Sequence, residues 1–360
     1  MAPLSILHVI TTLTRGGAEN AVALLAKGQT KDSQVTVMPL KGELELLNDL
    51  EQNGVRVNLE VWNRNFLVQI FLLRKYLNFN SGFTTLHAHL PRAELLLALS
   101  SFWKPRFITR HNSEHFWLKA PKIFSLFLSR VATRRAKVIC ISKSVCTFLN
   151  TQKELSSKTF RKVIYYGYEP RFTEGRINRK FPLKDKLVLG TIARLTVQKN
   201  LNFLLDIASD LLQVGQNFEI KLLGAGPLEA SLKAEVKIRG LDDYVKFYGR
   251  QQDVFPFLSS LDLFVLPSKY EGFGYVLLEA IDSGVPVFVS NIPVFHEVLG
   301  SKHPLYFDTD STKEFLRLVE QISLGKVVLT ELIGMQDSRL ALFTIEEYLD
   351  SHQRLYLNLD

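Results

Sequence analysis

The chain has 360 residues, 46% hydrophobic and 22% charged. That balance excludes a disordered or low-complexity protein and gives core material for about two domains at ~150 residues each. No apolar run reaches the ~18 residues a membrane-spanning helix needs, and the two cysteines, Cys140 and Cys146, match no zinc or redox spacing and suit a reducing compartment.

The net charge of +8 is unevenly placed. Residues 1–170 carry 23 basic against 11 acidic side chains, and residues 171–360 carry 21 against 25. The excess peaks in 101–150, with ten basic residues and one acid, Glu114. The first half is therefore expected to face something anionic. The segment MAPLSILHVITT has no basic region before its apolar stretch, so no cleaved signal is expected.

In chain order, SILHVIT reads as a buried strand and AENAVALLAKG as a helix. SQVTVMPL and VRVNLEV read as strands, and TTLHAHL, RFITRH and KVICIS as further short strands between helices. The alternation restarts after residue 185. KLVLGTIA, NFEIKLLGAG, VKFYGR, DLFVLPS and PVFVS read as strands, with helices between them. Short apolar strands alternating with helices predict parallel sheets covered on both faces. Two such series predict two doubly wound α/β domains, 1–168 and 186–342, joined by a polar link near 168–186. The final segment, 343–360, reads as a helix that packs back on the first domain. In such folds ligands bind beyond the carboxyl ends of the strands, and the cleft between the domains is the expected active site.

Several stretches carry candidate chemistry. In TTLTRGGAEN, Gly16 and Gly17 permit a tight turn before a helix whose first amides favour anions; an ordinary turn is the rival. In TIARLTVQKN, Arg194 and Lys199 follow a strand and could neutralise a diphosphate, or could be two solvated charges. In LLGAGPLEA, Gly224 and Gly226 begin a dinucleotide-like fingerprint, but Glu229 stands where the third glycine belongs. This reads as a structural turn, with Pro227 at the helix start, and counts against a nicotinamide site.

PSKYEGFGYVLLEA holds Glu271 before a helix start and Glu279 inside it, in an apolar run. Gly272 and Gly274 allow close backbone approach to a ligand. A carboxylate accepts from two adjacent sugar hydroxyls, so a ribose diol suits Glu279; a buried, amide-bonded glutamate is the rival. His87 and His89 alternate on one strand and His111 follows another, yet no cysteine accompanies them and carboxylates are sparse nearby, so no metal is expected. Asp308 and Asp310 form a D-x-D that reads as a helix cap, made by Asp310 or Ser311.

These motifs, in this order, resemble the retaining glycosyltransferases of the two-Rossmann GT-B architecture, the family-four or group 1 class. The resemblance runs through TRGGAEN, HAHL, ITRHN, ICISKSV, VIYYGYE, GTIARLTVQKN, LLGAGPLEASL and HEVLG, and it is most specific at PSKYEGFGYVLLEA. It implies that Glu271 touches the donor sugar, that the backbone of Gly272, Phe273 and Gly274 helps hold sugar and diphosphate, and that Glu279 binds the ribose. It further implies that Arg194 and Lys199 grip the diphosphate, that Gly16 and Gly17 bring the first loop to phosphate or acceptor, and that His111 sits beside the reacting sugar. Arg250 would lie where the base stacks.

The implied chemistry needs no cofactor or metal. A nucleotide-diphosphate sugar, UDP- or GDP-linked, is the donor, and a hydroxyl of a lipid-linked or other glycan is the acceptor, in bacterial surface-polysaccharide synthesis. An inactive glycosyltransferase-like binding protein and a nicotinamide dehydrogenase are the alternatives. In KAPKIFSLFLSRVATRRAK, Ile123, Phe124, Phe127 and Val131 fall at helical spacing among Lys122, Arg130, Arg134 and Arg135. A face resting on anionic lipid is expected, which would place the protein in the cytoplasm on the inner membrane face; an ordinary domain helix with a solvated basic face is the rival. Nucleic acid is not expected, because no recognition module accompanies the charge.

Overall fold

The computed structural model describes residues 3–101, 104–117, 120–171, 186–324 and 329–359. The chain divides into two compact units, 1–167 with 343–360, and 168–342. The first unit is a seven-stranded sheet of β1 (Leu4–Ile10), β2 (Ser33–Pro39), β3 (Arg56–Val57), β4 (Thr85–His89), β5 (Arg106–Arg110), β6 (Ala136–Cys140) and β7 (Arg161–Val163). The order is β3-β2-β1-β4-β5-β6-β7, every pair parallel. The second unit is a six-stranded parallel sheet of β8 (Leu187–Ile192), β9 (Phe218–Leu223), β10 (Val245–Gly249), β11 (Leu263–Leu266), β12 (Val287–Ser290) and β13 (Tyr306–Phe307), in the order β10-β9-β8-β11-β12-β13.

Each unit is thus doubly wound. The chain starts mid-sheet, runs to one edge, then returns to the other side of its first strand. The reversals fall between β1 and β4 and between β8 and β11, the positions where such sheets bind ligands. The central strands β4, β5, β11 and β12 are buried along their whole length, as strands covered on both faces must be.

The segment VRVNLEV forms only the two-residue strand β3. It lies at the sheet edge, where Asn58 and Glu60 make a side chain-to-backbone turn instead of extending the ladder. Pro227 sits in the turn before its helix, which begins at Glu229.

In the first unit the helix Ile345–Tyr356, capped by the Thr344 hydroxyl, buries Tyr348, His352, Leu355 and Tyr356. Gly28 makes room for it: a Cβ there would lie 2.5 Å from a Leu349 methyl. The stretch 168–171 at the start of the second unit is fastened by Asp282, which accepts from the Tyr168 hydroxyl at 2.9 Å and the Arg171 amide at 2.7 Å. Among the described residues no helix is long and apolar enough to cross a membrane. Most of the sequence-expected link, 172–185, lies outside the described residues.

Candidate active site

The second unit's share is built on two neighbouring strands, β8 and β11, and the loops that leave them. Those loops are stitched together. The Lys269 amide donates to the Gln198 carbonyl at 2.9 Å, and the Gln198 side chain donates to the Tyr270 carbonyl at 2.9 Å. Glu271 is 7% exposed. Its carboxylate forms an ion pair with Lys199 and accepts from the Ser268 hydroxyl at 2.8 Å and the Gln198 amide at 3.4 Å. Glu271 is therefore held in one orientation, and Lys199 is already paired rather than a free cation. Arg194, past the end of β8, is exposed and forms no ion pair among the described residues.

After Glu271 the chain turns at Gly272 and Phe273, both buried, into Gly274. Gly274 caps the helix Tyr275–Asp282 at φ 86°, a left-handed backbone that glycine adopts without steric cost. A side chain there would also press on the Phe295 ring at 3.1 Å. Phe273 is a core residue, which leaves the backbone of this loop as its ligand-facing chemistry.

Glu279 lies one turn and a half into the helix. Its carboxylate has no hydrogen-bond partner among the described residues, and desolvation pushes its pKa up to about 7. The amide-bonded alternative therefore does not hold. Arg250 is exposed just past β10.

The GAG turn is structural. A Cβ on Gly224 would fall 2.0 Å from the Ala193 carbonyl oxygen, and one on Gly226 2.5 Å from that of Leu195. These glycines serve backbone against backbone, not a pyrophosphate. Ser311, not Asp310, caps the helix Thr312–Ser323. Asp308 and Asp310 also line a cavity of about 430 Å³ with Ser268, Lys269, Ser290 and Asn291. The D-x-D thus lies nearer to Glu271, through Ser268, than a helix cap alone would place it.

The first unit's share centres on imidazoles. Strand register sets His8 opposite His87. His87 and His89 share a face, with ring centroids 4.1 Å apart. A chain of hydrogen bonds then runs from Gln29 to His8 (2.8 Å), to His89 (3.0 Å), to His111 (3.2 Å) and to the Tyr166 hydroxyl (2.5 Å). Burial lowers every imidazole pKa in it, to about 4 at His8 and about 3 at His111.

Neutral rings carry one N–H each, so the Gln29 carbonyl fixes the pattern. Each Nε2–H donates toward Gln29, and each Nδ1 accepts from the next group. Both ring nitrogens of His111 are thereby used inside the unit. What it can offer a sugar without breaking this chain is its backbone, not an imidazole N–H. His8, His87 and His89 do bring ligand atoms within 4.8 Å of one another. Every one of those nitrogens is already hydrogen-bonded, His87 to Tyr356 at 2.6 Å and Thr109 at 2.7 Å, so a cation would have to displace the network.

At the glycine loop, Gly16 caps the helix Gly17–Gln29 without a side-chain bond. Two carboxylates already occupy this loop. Glu19 accepts from Thr12 at 2.6 Å beside Gly16, and Glu45 accepts from the Arg15 amide at 2.5 Å.

Sequence reading missed the buried charges behind β5. Arg110 pairs with Glu94 at 2.7 Å, and Glu154 lies 3.9 Å from it. Burial pushes Glu94 up to about 7 against the pull of Arg110. These partners are distant in sequence, and no local pattern marks them. The helix Lys122–Thr133 exposes Ile123 (84%), Phe124 (52%) and Phe127 (60%), whereas Val131 packs inward beside Phe116 and Ala132.

Two Rossmann-like units of this order and connectivity define a protein of the GT-B architecture. Residues 174–331 match the family described as Glycosyl transferases group 1. The chain is 37% identical over 107 residues to the putative glycosyltransferase EpsF of Bacillus subtilis, covering 30% of this chain and 28% of that protein. It is 25% identical to the capsular polysaccharide biosynthesis glycosyltransferase CapH of Staphylococcus aureus, over 82% of this chain and 83% of that one.

Among solved structures it is similar to Anabaena HepE in complex with UDP-glucose, with TM-score 0.81 and 20% identity over 99% of this chain and 100% of that one. It is also similar to sucrose-phosphate synthase of Thermosynechococcus elongatus, with TM-score 0.78 and 16% identity over 99% of each chain. The match spans less than half the length of the first curated relatives, 28% of EpsF and 48% of the Escherichia coli O-antigen glycosyltransferase WclY.

Proposed function

We propose that the protein is a glycosyltransferase of bacterial surface-polysaccharide synthesis. It moves a sugar from a UDP- or GDP-sugar to a hydroxyl of a lipid-linked glycan, with retention of anomeric configuration. The observation that carries this reading is Glu279, a desolvated carboxylate without a protein partner on the helix that follows the Glu271–Gly274 loop. Glu279 is half-buried; a desolvated carboxylate left unpaired costs stability, and a ribose diol satisfies it.

The chemistry follows from the residues present. Glu271, fixed by Lys199, Ser268 and Gln198, accepts from donor-sugar hydroxyls. Arg194, exposed and without an ion pair among the described residues, meets the diphosphate. The acceptor hydroxyl attacks the anomeric carbon on the face that the diphosphate leaves. As the carbon–oxygen bond to the diphosphate breaks, the departing phosphate oxygen takes the acceptor's proton. Charge builds on that oxygen, where preorganised cations and amides stabilise it most. No metal or cofactor takes part in this scheme.

Homologues named for capsule, O-antigen and amylovoran synthesis support the polysaccharide setting, and structural neighbours bound to UDP and UDP-glucose support a nucleotide-sugar donor. The exposed Ile123, Phe124 and Phe127, with Lys122 and Arg130 on the same helix, support docking on the anionic inner face of the cell membrane.

A thermal-shift and donor-hydrolysis panel over UDP- and GDP-sugars tests the reading. One nucleotide series is expected to raise the melting temperature and to be hydrolysed slowly. Stabilisation by NADH or DNA and by no nucleotide sugar overturns it.

A further inference from the structure

A second concentration of positive charge in the first unit stands apart from the loops described above. Arg130 from the helix Lys122–Thr133, Lys153 just past the helix Lys143–Thr151, and Arg161 on β7 converge on an open cavity of about 600 Å³. Asn150, Ser156 and Ser157 add neutral polar groups, and the buried Leu155 contributes an apolar patch.

No carboxylate lines the cavity. Among the described residues none of the three cations forms an ion pair. The acid nearest in sequence, Glu154, points into the core, where His115 holds it at 3.0 Å. Among the described residues Arg130 reaches the Lys153 carbonyl, at 3.5 Å. Lys153 itself sits at φ 57°, an uncommon backbone for a lysine.

Three like charges brought together with no carboxylate in the lining repel one another, and the concave wall focuses their field on an anion. Guanidinium forks match phosphate oxygens, and hydroxyl and amide donors complete their coordination. The volume exceeds what a bare phosphate fills and lies within the ~300–1,000 Å³ range of organic ligand sites. The same helix that supplies Arg130 exposes Ile123, Phe124 and Phe127, so the cavity adjoins an apolar crest.

We infer that this cavity, at the amino ends of the first sheet's strands, is a phosphate-ester site. It is tested independently of the donor loops. Two sources share this chemistry, a lipid-borne phosphate and a free one.

Calorimetric titration of the full chain with inorganic diphosphate is the first arm, on the wild type, on Lys153→Gln/Arg161→Gln and on Arg194→Ala/Lys199→Ala. The wild type is expected to show two classes of site. The cavity double variant should lose one of them, with affinity there falling about tenfold or more, while UDP binding stays unchanged.

The second arm is flotation with phosphatidylcholine vesicles carrying phosphatidic acid. Flotation reduced by the cavity variant assigns the site to lipid-borne phosphate, and unchanged flotation with diphosphate binding lost assigns it to soluble phosphate esters. Unchanged diphosphate stoichiometry and affinity in the cavity variant overturns the inference. Loss of UDP binding in neither double variant would count against the donor reading instead.

Discussion

Lys199 and Glu271 lie 72 residues apart and form one ion pair on adjacent strand-end loops, with side chains 15% and 7% exposed. The pair gives Lys199 a structural duty that Arg194 lacks. Removing one member of a fully buried pair costs ~3–5 kcal/mol, and this one is slightly exposed, so Lys199→Ala should cost on the order of 2–3 kcal/mol. Arg194→Ala should leave the denaturation midpoint in place. Both should lower donor turnover by about two orders of magnitude or more. Paired urea denaturation and donor-hydrolysis rates separate the two effects. Near-normal turnover in both variants would remove the diphosphate role.

Glu279 is predicted to oppose folding at high pH. Its folded pKa is raised from 4.5 to about 7 by desolvation, so the folded state holds the proton more tightly than the unfolded chain. The cost of its charge is absent below pH 4.5, grows through neutrality and is full above pH 7, at most roughly 3 kcal/mol. Glu279→Gln should therefore stabilise the free protein at pH 8 and have little effect at pH 5. It should also weaken donor binding at pH 8, where the ionised carboxylate accepts from the ribose. Equal stability of variant and wild type at both pH values would show that Glu279 is solvated.

The sequence made Glu271 and Glu279 legible because their spacing and glycine setting are local. The broken GAG fingerprint was legible for the same reason, since its crowding by Ala193 and Leu195 follows from glycines at a strand end. The alternation of His87 and His89 was visible, but their engagement was not. It depends on strand register, which sets His8 beside His87, and on Tyr166 and Tyr356 arriving from distant segments. Lys199 read as a phosphate cation because its partner lies on another loop. Asp282, in the unremarkable run EAIDSG, holds Tyr168 and the Arg171 amide only once the fold has formed.

Tyr166 is predicted to complete, at the His111 end, the tautomer pattern that Gln29 fixes at the other. It is the hydroxyl donor to His111 Nδ1 at the end of the imidazole chain. Tyr166→Phe keeps the ring and leaves a buried acceptor without its donor, at a cost of ~1–3 kcal/mol. Nitrogen-15 NMR of the wild-type histidines should show protonated Nε2 and bare Nδ1 at His8, His89 and His111 at neutral pH. Loss of Tyr166 should perturb His111 first. Protonated Nδ1 on these rings in the wild type would reverse the donor direction assigned here.

Acid should loosen the first unit selectively. His8 and His352 are lowered to about 4, His111 to about 3, and His87 and His89 well below 6.5, chiefly by desolvation. The unfolded chain takes up these protons first. The associated stability is full above pH 6.5 and is lost as pH falls toward the folded values. Each ring contributes up to about 1.4 kcal/mol per pH unit in that window.

Glu94, raised to about 7, acts in the opposite sense and returns stability as pH falls from 7 to 4.5, but it is one carboxyl against five imidazoles. In the second unit Glu279 and His303, lowered to about 4, nearly cancel. No tryptophan lies in residues 168–342, so tryptophan fluorescence does not report directly on the second unit. Between pH 7.5 and 5.5 the tryptophan-detected urea midpoint should fall, and any transition seen only by far-ultraviolet circular dichroism should stay nearly fixed. A tryptophan midpoint that holds or rises on acidification would mean that the imidazoles are hydrated and that the buried hydrogen-bonded chain does not persist in solution.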